Sequence, residues 1–333
     1  MPEKQPEVVV ITGASAGVGR AVVGEFARRG AHIGLLARGR ERLEDTRREV
    51  ERYGGRALAL PADVADPEQV ERAAAQVQRE FGPIDVWVND AMTTVFAPFS
   101  EITPEEFKRA TEVTYLGCVY GSMSALKRMK PRNSGSIVQV GSALAYRSIP
   151  LQAPYCGAKH AIVGFTDSLR SELIHDQSRV RITVVHLPGM NTPQFSWCRT
   201  RLPRHPMPVP PIFQPEVAAR AIYWAAHHDR REVYVGWPTV KAIYGQELAP
   251  RAADQYLAEH AYDAQQTSQP VSPDRPDNLF EPVQGEYAAH GIFSGQAKNN
   301  SVQAWMDLHR KSVAIAAAGI AGVAALLASR KAG

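Results

Sequence analysis

The sequence predicts a doubly wound α/β fold, a seven-stranded parallel sheet with helices on both faces, built as a single domain with a C-terminal extension. Three observations carry that prediction. Seven short apolar runs alternate with six helical stretches between residues 7 and 240. A glycine-rich turn joins the first run to the first helical stretch. The distinctive polar residues fall at or just after the ends of the apolar runs, which is where open parallel sheets bind ligands.

The first run, 7–12, is apolar without alternation, as a strand buried on both faces requires. TGASAGVGR follows at 12–20, with Gly13, Gly17 and Gly19 as G-x-x-x-G-x-G ahead of a helical segment to Arg29. Such a turn lets the backbone approach a pyrophosphate while the helix N-terminus offers free N–H groups. The loop, with Ser15 and Val18 in it, is therefore expected to hold a nucleotide. The second strand, 31–37, ends in Arg38-Gly39-Arg40 with no acidic residue. An acidic side chain there suits a ribose 2′-hydroxyl and an arginine suits a 2′-phosphate, so NADP(H) is favoured over NAD(H), with Arg38 as the contact.

The third strand, 57–60, leads to Asp63 and Val64, and Asp66-Pro67 opens the next helix as N-cap and first helical residue. The fourth, 84–88, ends in Asn89-Asp90-Ala91-Met92, after which Thr103-Pro104 starts a long helical stretch to about Met129. The fifth, 137–140, runs up to Ser142, and the sixth, 180–187, breaks at Pro188-Gly189. A helix over 215–228 and a strand over 232–235 complete the alternation.

Chemistry concentrates between Gly141 and Lys159. Tyr155 and Lys159 are four apart in a helical segment, so their side chains share a face. A phenol titrates near ~10 and a neighbouring ammonium favours its anion, so Lys159 is expected to tune Tyr155 as an acid or base. Ser142, at a strand end, is placed to donate to an oxygen that gains charge when a carbonyl is reduced.

With T-G-x-x-x-G-x-G at Thr12 to Gly19, Asp63, Ser142, Y-x-x-x-K at Tyr155 to Lys159, and Pro188, Gly189 and Thr192, the chain resembles the short-chain dehydrogenase/reductase family over about residues 7–240. The resemblance implies a Rossmann-like domain that moves a hydride between a nicotinamide and a carbonyl or alcohol carbon, with Ser142, Tyr155 and Lys159 catalytic. It places Asp63 and Val64 at the adenine, Asn89 and Lys159 at the nicotinamide ribose, and Pro188 to Thr192 at the carboxamide. It also implies a substrate lid between Gly189 and Pro215, and a homo-oligomer paired through the long fourth and fifth helices. Two positions depart from the family. Its N-N-A-G stands here as Asn89-Asp90-Ala91-Met92, and its helical asparagine is Thr114, whose hydroxyl or backbone carbonyl is expected to hold the water of a proton relay. In the lid, Phe195, Trp197, Ile212 and Phe213 either wall an apolar pocket or pack as core, and a bulky apolar carbonyl compound or alcohol is the expected substrate. Two rival readings are an NADP-binding sensor or scaffold without turnover and a nucleotide-sugar epimerase or dehydratase.

The net charge of +4 is spread through the chain, and no Lys/Arg run is interleaved with aromatics, which argues against nucleic acid. Three cysteines, Cys118, Cys156 and Cys198, show no C-x-x-C spacing, so neither disulfides nor a metal are expected and a reducing, cytoplasmic setting fits. The charged start MPEKQPEVVV does not read as a secretory signal. Beyond residue 240 the alternation stops. An extension over 241–311 includes a stretch, 265–300, rich in Gln, Pro, Asp, Ser and Gly that reads as irregular and partly mobile. Residues 313–328 are uncharged and bounded by Arg310-Lys311 and Arg330-Lys331. With its flanking serines and snorkelling basic residues, the helix over 312–329 just reaches across a ~30 Å hydrocarbon core and is read as a membrane anchor, a docked helix being the alternative.

Overall fold

The structure is a computed structural model and describes residues 5–313, apart from 273 and 286, together with 315. In chain order, β1 (Val8–Thr12), α1 (Gly17–Ala27), β2 (His32–Ala37), α2 (Arg40–Arg52), β3 (Ala57–Pro61), α3 (Pro67–Phe81) and β4 (Val86–Asn89) form the first half. After the short β5 (Val95–Phe96), α4 (Pro104–Thr111) passes through a π-helical turn, Glu112–Leu116, into α5 (Gly117–Met129). The second half carries β6 (Ser136–Ser142), α6 (Ala153–His175), β7 (Arg181–Leu187), α7 (Gln194–Trp197), β8 (Arg199–Thr200), β9 (Arg204–Pro206), α8 (Pro215–His227) and β10 (Glu232–Tyr234). The extension adds α9 (Trp237–Leu248), α10 (Pro250–Ala264), β11 (Gln266–Pro270) and α11 (Val302–Leu308).

Seven parallel strands lie in the order β10-β7-β6-β4-β1-β2-β3. The chain direction through the sheet reverses between β1 and β4, which opens a crevice beyond their carboxyl ends. β1 shows why its residues are apolar throughout. Val9 and Ile11 join the core under α1 and α8, whereas Val8 and Val10 join the core under α3 and α5. The caps form as the sequence predicts: the Asp66 side chain accepts from the N–H groups of Glu68 and Gln69, and Thr103 and Glu106 make a reciprocal capping box.

Beyond β11 the described part of 271–300 is irregular, yet the extension is tied to the body: β11 pairs antiparallel with β9, and Leu279, Val283 and Phe293 are buried. Its backbone groups bond there to backbone and to arginine side chains of the body. The segment 276–298 forms a strap that passes over α4, then α2 and α1, and reaches the lid at Asn191 and Phe213. α11 closes on β10, where the Gln303 amide donates to the Tyr234 carbonyl at 3.1 Å. No described helix is long and apolar enough to cross a membrane. Apart from Ser312, Val313 and Ile315, the run 312–329 lies outside the described residues.

Candidate active site

The glycine loop is pressed against the turn that follows β4. Gly13 has φ +72°, and a Cβ there would sit 3.0 Å from the Ala91 backbone; a Cβ at Gly19 would come within 2.3 Å of the Gly13 carbonyl oxygen. The Thr12 hydroxyl accepts from the N–H groups of Asp90 and Ala91 at 3.0 and 3.1 Å, which ties the ends of β1 and β4 together. From this loop a cleft of about 800 Å³ runs along the carboxyl edge of the sheet. Gly13, Ser15, Gly17, Val18, Arg38, Asp63 and Val64 line one end, Ser142, Tyr155 and Lys159 the middle, and Pro188, Gly189 and Thr192 the wall facing them. Close backbone at one end and titratable groups in the middle suit a long polar cofactor with its reactive end at the tyrosine.

Ser142 ends β6, and its oxygen accepts from the Leu144 N–H at 3.1 Å. Tyr155 and Lys159 project from the first turns of α6. The Lys159 ammonium donates to the Val140 carbonyl at 2.6 Å and stands 5.5 Å from the centre of the Tyr155 ring. Contrary to expectation, the phenol does not fall in this environment. Burial pushes Tyr155 above its ordinary range, with hydrogen bonding to Ser142 opposing, so the ring carries its proton as a donor should. Burial likewise lowers Lys159, while Cys118 and Asp90 act in the other direction.

Three expected site residues, Gly19, Asn89 and Thr114, are not part of the cleft lining. Asn89 is buried away from the cleft: its carbonyl oxygen accepts from Trp87 Nε1 at 2.8 Å and its amide donates to Ser122 and Gln139. As a strand residue it alternates into the helical layer, and Asp90, Ala91 and Met92 line the cleft in its place. Thr114 donates its hydroxyl proton to the Thr93 carbonyl at 2.9 Å and accepts from the Thr93 N–H at 3.1 Å. Its one O–H is thereby used in holding the β4–β5 turn. Ile212 and Phe213 belong to the core and not to the cleft wall, because Phe213 is held by backbone bonds to Gly189 and Asn191; Phe195 and Trp197 do line the cleft. Arg38 lines the cleft, but its guanidinium also donates to strap carbonyls, to Phe280 at 2.7 Å and to Asn278.

The strap continues around the same rim. Arg109 donates to the Leu279 carbonyl at 3.1 Å and pairs with the Asp63 carboxylate at 2.5 Å, and the Gly17 N–H at the start of α1 donates to the Ala288 carbonyl at 3.1 Å. Asn278 and Pro282 of the strap are themselves part of the cleft lining. The far wall comes from Met207 to Pro211, within the expected lid, and from Trp237, Tyr256 and Leu257 of α9 and α10, which no motif in the sequence marks. The only signal for them was the aromatic content of 237–257, since nothing in that stretch has a fixed spacing to the site.

The short chain dehydrogenase family model matches residues 7–200. The chain belongs to that family. An uncharacterized oxidoreductase of Bacillus subtilis (strain 168), YxnA, is 31% identical over 98% of this chain and 91% of its own length. A 3-dehydrosphinganine reductase of Danio rerio is 34% identical over 56% of the chain and 58% of that protein, so the likeness stops short of two thirds of that relative. Among solved structures, a short-chain dehydrogenase from Streptomyces avermitilis is 27% identical with a TM-score of 0.65, covering 78% of this chain and 98% of that one. A 3-ketoacyl-ACP reductase from Sinorhizobium meliloti 1021 is 26% identical with a TM-score of 0.61, covering 68% and 96%. As a short-chain dehydrogenase, the chain is an oxidoreductase using a nicotinamide cofactor, and the glycine cradle and the length of the cleft fit that group.

Asp90 stands where the family has asparagine and carries a charge into this site. Burial lifts its carboxyl to about 7, against the opposing effects of Lys159 and the Gly19 N–H. A carboxyl raised in the fold binds its proton more readily there than in the unfolded chain, so its ionisation between about pH 4 and 7 works against the fold. Asp90→Asn is expected to flatten the loss of Tm across that window in calorimetry at several pH values. An unchanged slope would place the carboxyl near its ordinary 3.8.

Proposed function

We propose that the chain is an NADP(H)-dependent oxidoreductase that interconverts a carbonyl and an alcohol on a bulky apolar substrate. The observation that carries this reading is that Ser142, Tyr155 and Lys159 line one cleft with the glycine loop and an apolar wall formed by Ile149, Met207, Val209 and Leu257. A bound nicotinamide supplies the hydride to the carbonyl carbon, or takes it from the alcohol. The Ser142 hydroxyl donates to the substrate oxygen and fixes its position, and Tyr155 gives that oxygen its proton as the C–O double bond becomes single. Lys159, held by the Val140 carbonyl beside the ring, stabilises the phenolate that remains once Tyr155 has given up its proton. In the oxidative direction Tyr155 takes the alcohol proton. The apolar wall excludes water and favours hydrocarbon over a small charged acid.

Arg38 supports NADP(H). A guanidinium has five donors, so the strap carbonyls leave it able to meet a 2′-phosphate. Arg38→Leu is expected to weaken NADPH by roughly 10- to 100-fold, the size of a lost charged hydrogen bond, and to leave NADH within about twofold. Titration of the purified protein with both nucleotides checks this. Equal weakening of the two would make Arg38 an anchor for the strap alone and remove the case for NADP. A panel of aliphatic and aromatic ketones then tests turnover. Tight nucleotide binding with no turnover on any of them would support the sensor reading instead.

A further inference from the structure

The mouth of the apolar cavity is rimmed by side chains that face water. Val209, Trp237 and Tyr256 each line the cavity and are 38%, 55% and 62% exposed. Along α9, Trp237, Lys241, Tyr244 and Leu248 follow at i, i+4, i+7 and i+11, so they form one stripe, in which Tyr244 is 51% and Leu248 84% exposed. Contiguous exposed apolar and aromatic groups around a cavity entrance mark an interaction site.

We propose that this rim seats on a lipid surface, from which an apolar substrate passes directly into the cavity. This rests on the apolar-substrate reading above. Three features favour a lipid over other occupants. A tightly seated second copy or segment of the chain would close the entrance that the cavity needs, whereas a fluid lipid layer covers the rim and also supplies the substrate. Trp and Tyr with a snorkelling Lys are the side chains suited to the boundary between hydrocarbon and water. The uncharged run at 313–328 follows α11 after four residues, and α11 packs on β10, the strand that leads into α9. The attraction is apolar and not electrostatic, because Lys241 and Arg251 of α9 and α10 are outnumbered by Glu247, Asp254, Glu259 and Asp263.

The test uses the full chain carrying Trp305→Phe, so that Trp237 is the exposed indole that reports, with vesicles of phosphatidylcholine brominated in the acyl chains. Quenching of tryptophan fluorescence is expected, as strong as with phosphatidylglycerol vesicles or stronger, and unaffected by 0.5 M salt in the manner of apolar binding. The double variant Tyr244→Glu, Leu248→Glu is expected to need at least tenfold more lipid for half-quenching while turning over a short water-soluble ketone at the parent rate, since neither residue lines the cavity. Absence of quenching overturns the proposal, as does quenching unchanged in the double variant, which would place the attachment elsewhere in the chain. It is also overturned if the vesicle-free protein is a dimer that the double variant splits, since the rim would then join two copies. If quenching and its loss occur but no ketone is turned over, the docking surface stands and the reductase reading fails.

Discussion

Replacing Tyr155 by Phe is expected to lower kcat by about 10³-fold, within the 10²–10⁴ range of a lost general acid, while nucleotide affinity stays within about twofold. The hydroxyl is the group removed. The ring that packs beside the Lys159 ammonium remains, so the cleft keeps its shape. Stopped-flow single turnovers with nucleotide and ketone, together with a direct titration of nucleotide, separate the two quantities. Turnover retained within tenfold would remove Tyr155 from the proton-transfer role. The pH dependence supplies a second reading of the same group. Because burial holds the phenol protonated, ketone reduction should be nearly flat from pH 6 to 8, whereas alcohol oxidation, which needs the phenolate, should rise with pH across that interval.

Much of the fold is legible in the sequence. The seven strands of the sheet fall on the seven apolar runs, because strands buried on both faces must be apolar throughout, as β1 is with Val9 and Ile11 on one side and Val8 and Val10 on the other. The spacing of Tyr155 and Lys159 places both in one cleft because a helix makes neighbours of residues four apart. What failed was what spacing cannot encode. Asn89 and Asp90 are adjacent, and which of them faces the cleft depends on where the strand ends, a matter of a single residue. The partners of Arg38 lie some 240 residues away in a stretch with no periodic pattern, held by backbone carbonyls that leave no trace in side-chain composition. Ile212 and Phe213 stay open between pocket wall and core in the sequence, since hydrophobicity alone does not distinguish the two, and they pack in the core.

Loosening the strap is expected to speed nucleotide release by at least tenfold. Leu279 is its anchor, fully buried with Val95, Ala97 and Ala110, and its carbonyl receives both Arg38 and Arg109. Leu279→Ala removes buried hydrocarbon at a typical cost of ~2–5 kcal/mol, more than the 1.4 kcal/mol that corresponds to a tenfold change in an opening equilibrium. The cleft end holding Arg38 and Asp63 lies under Asn278 and Pro282, so opening there exposes the bound nucleotide. Release can be followed by displacement of NADPH fluorescence, and limited proteolysis should show cutting within 274–285 that the parent resists. An unchanged release rate would mean that the nucleotide leaves past the lid instead.

The strap also orders the birth of the molecule. Its contacts with the glycine loop join residues about 270 positions apart, Gly17 to Ala288 and Arg20 to Tyr287, so they are among the last that a chain emerging from the ribosome can make. The α/β body that precedes it can assemble and take up nucleotide while the rim is still open. Contacts from Leu279 to Ala288 then close the rim over a body already formed.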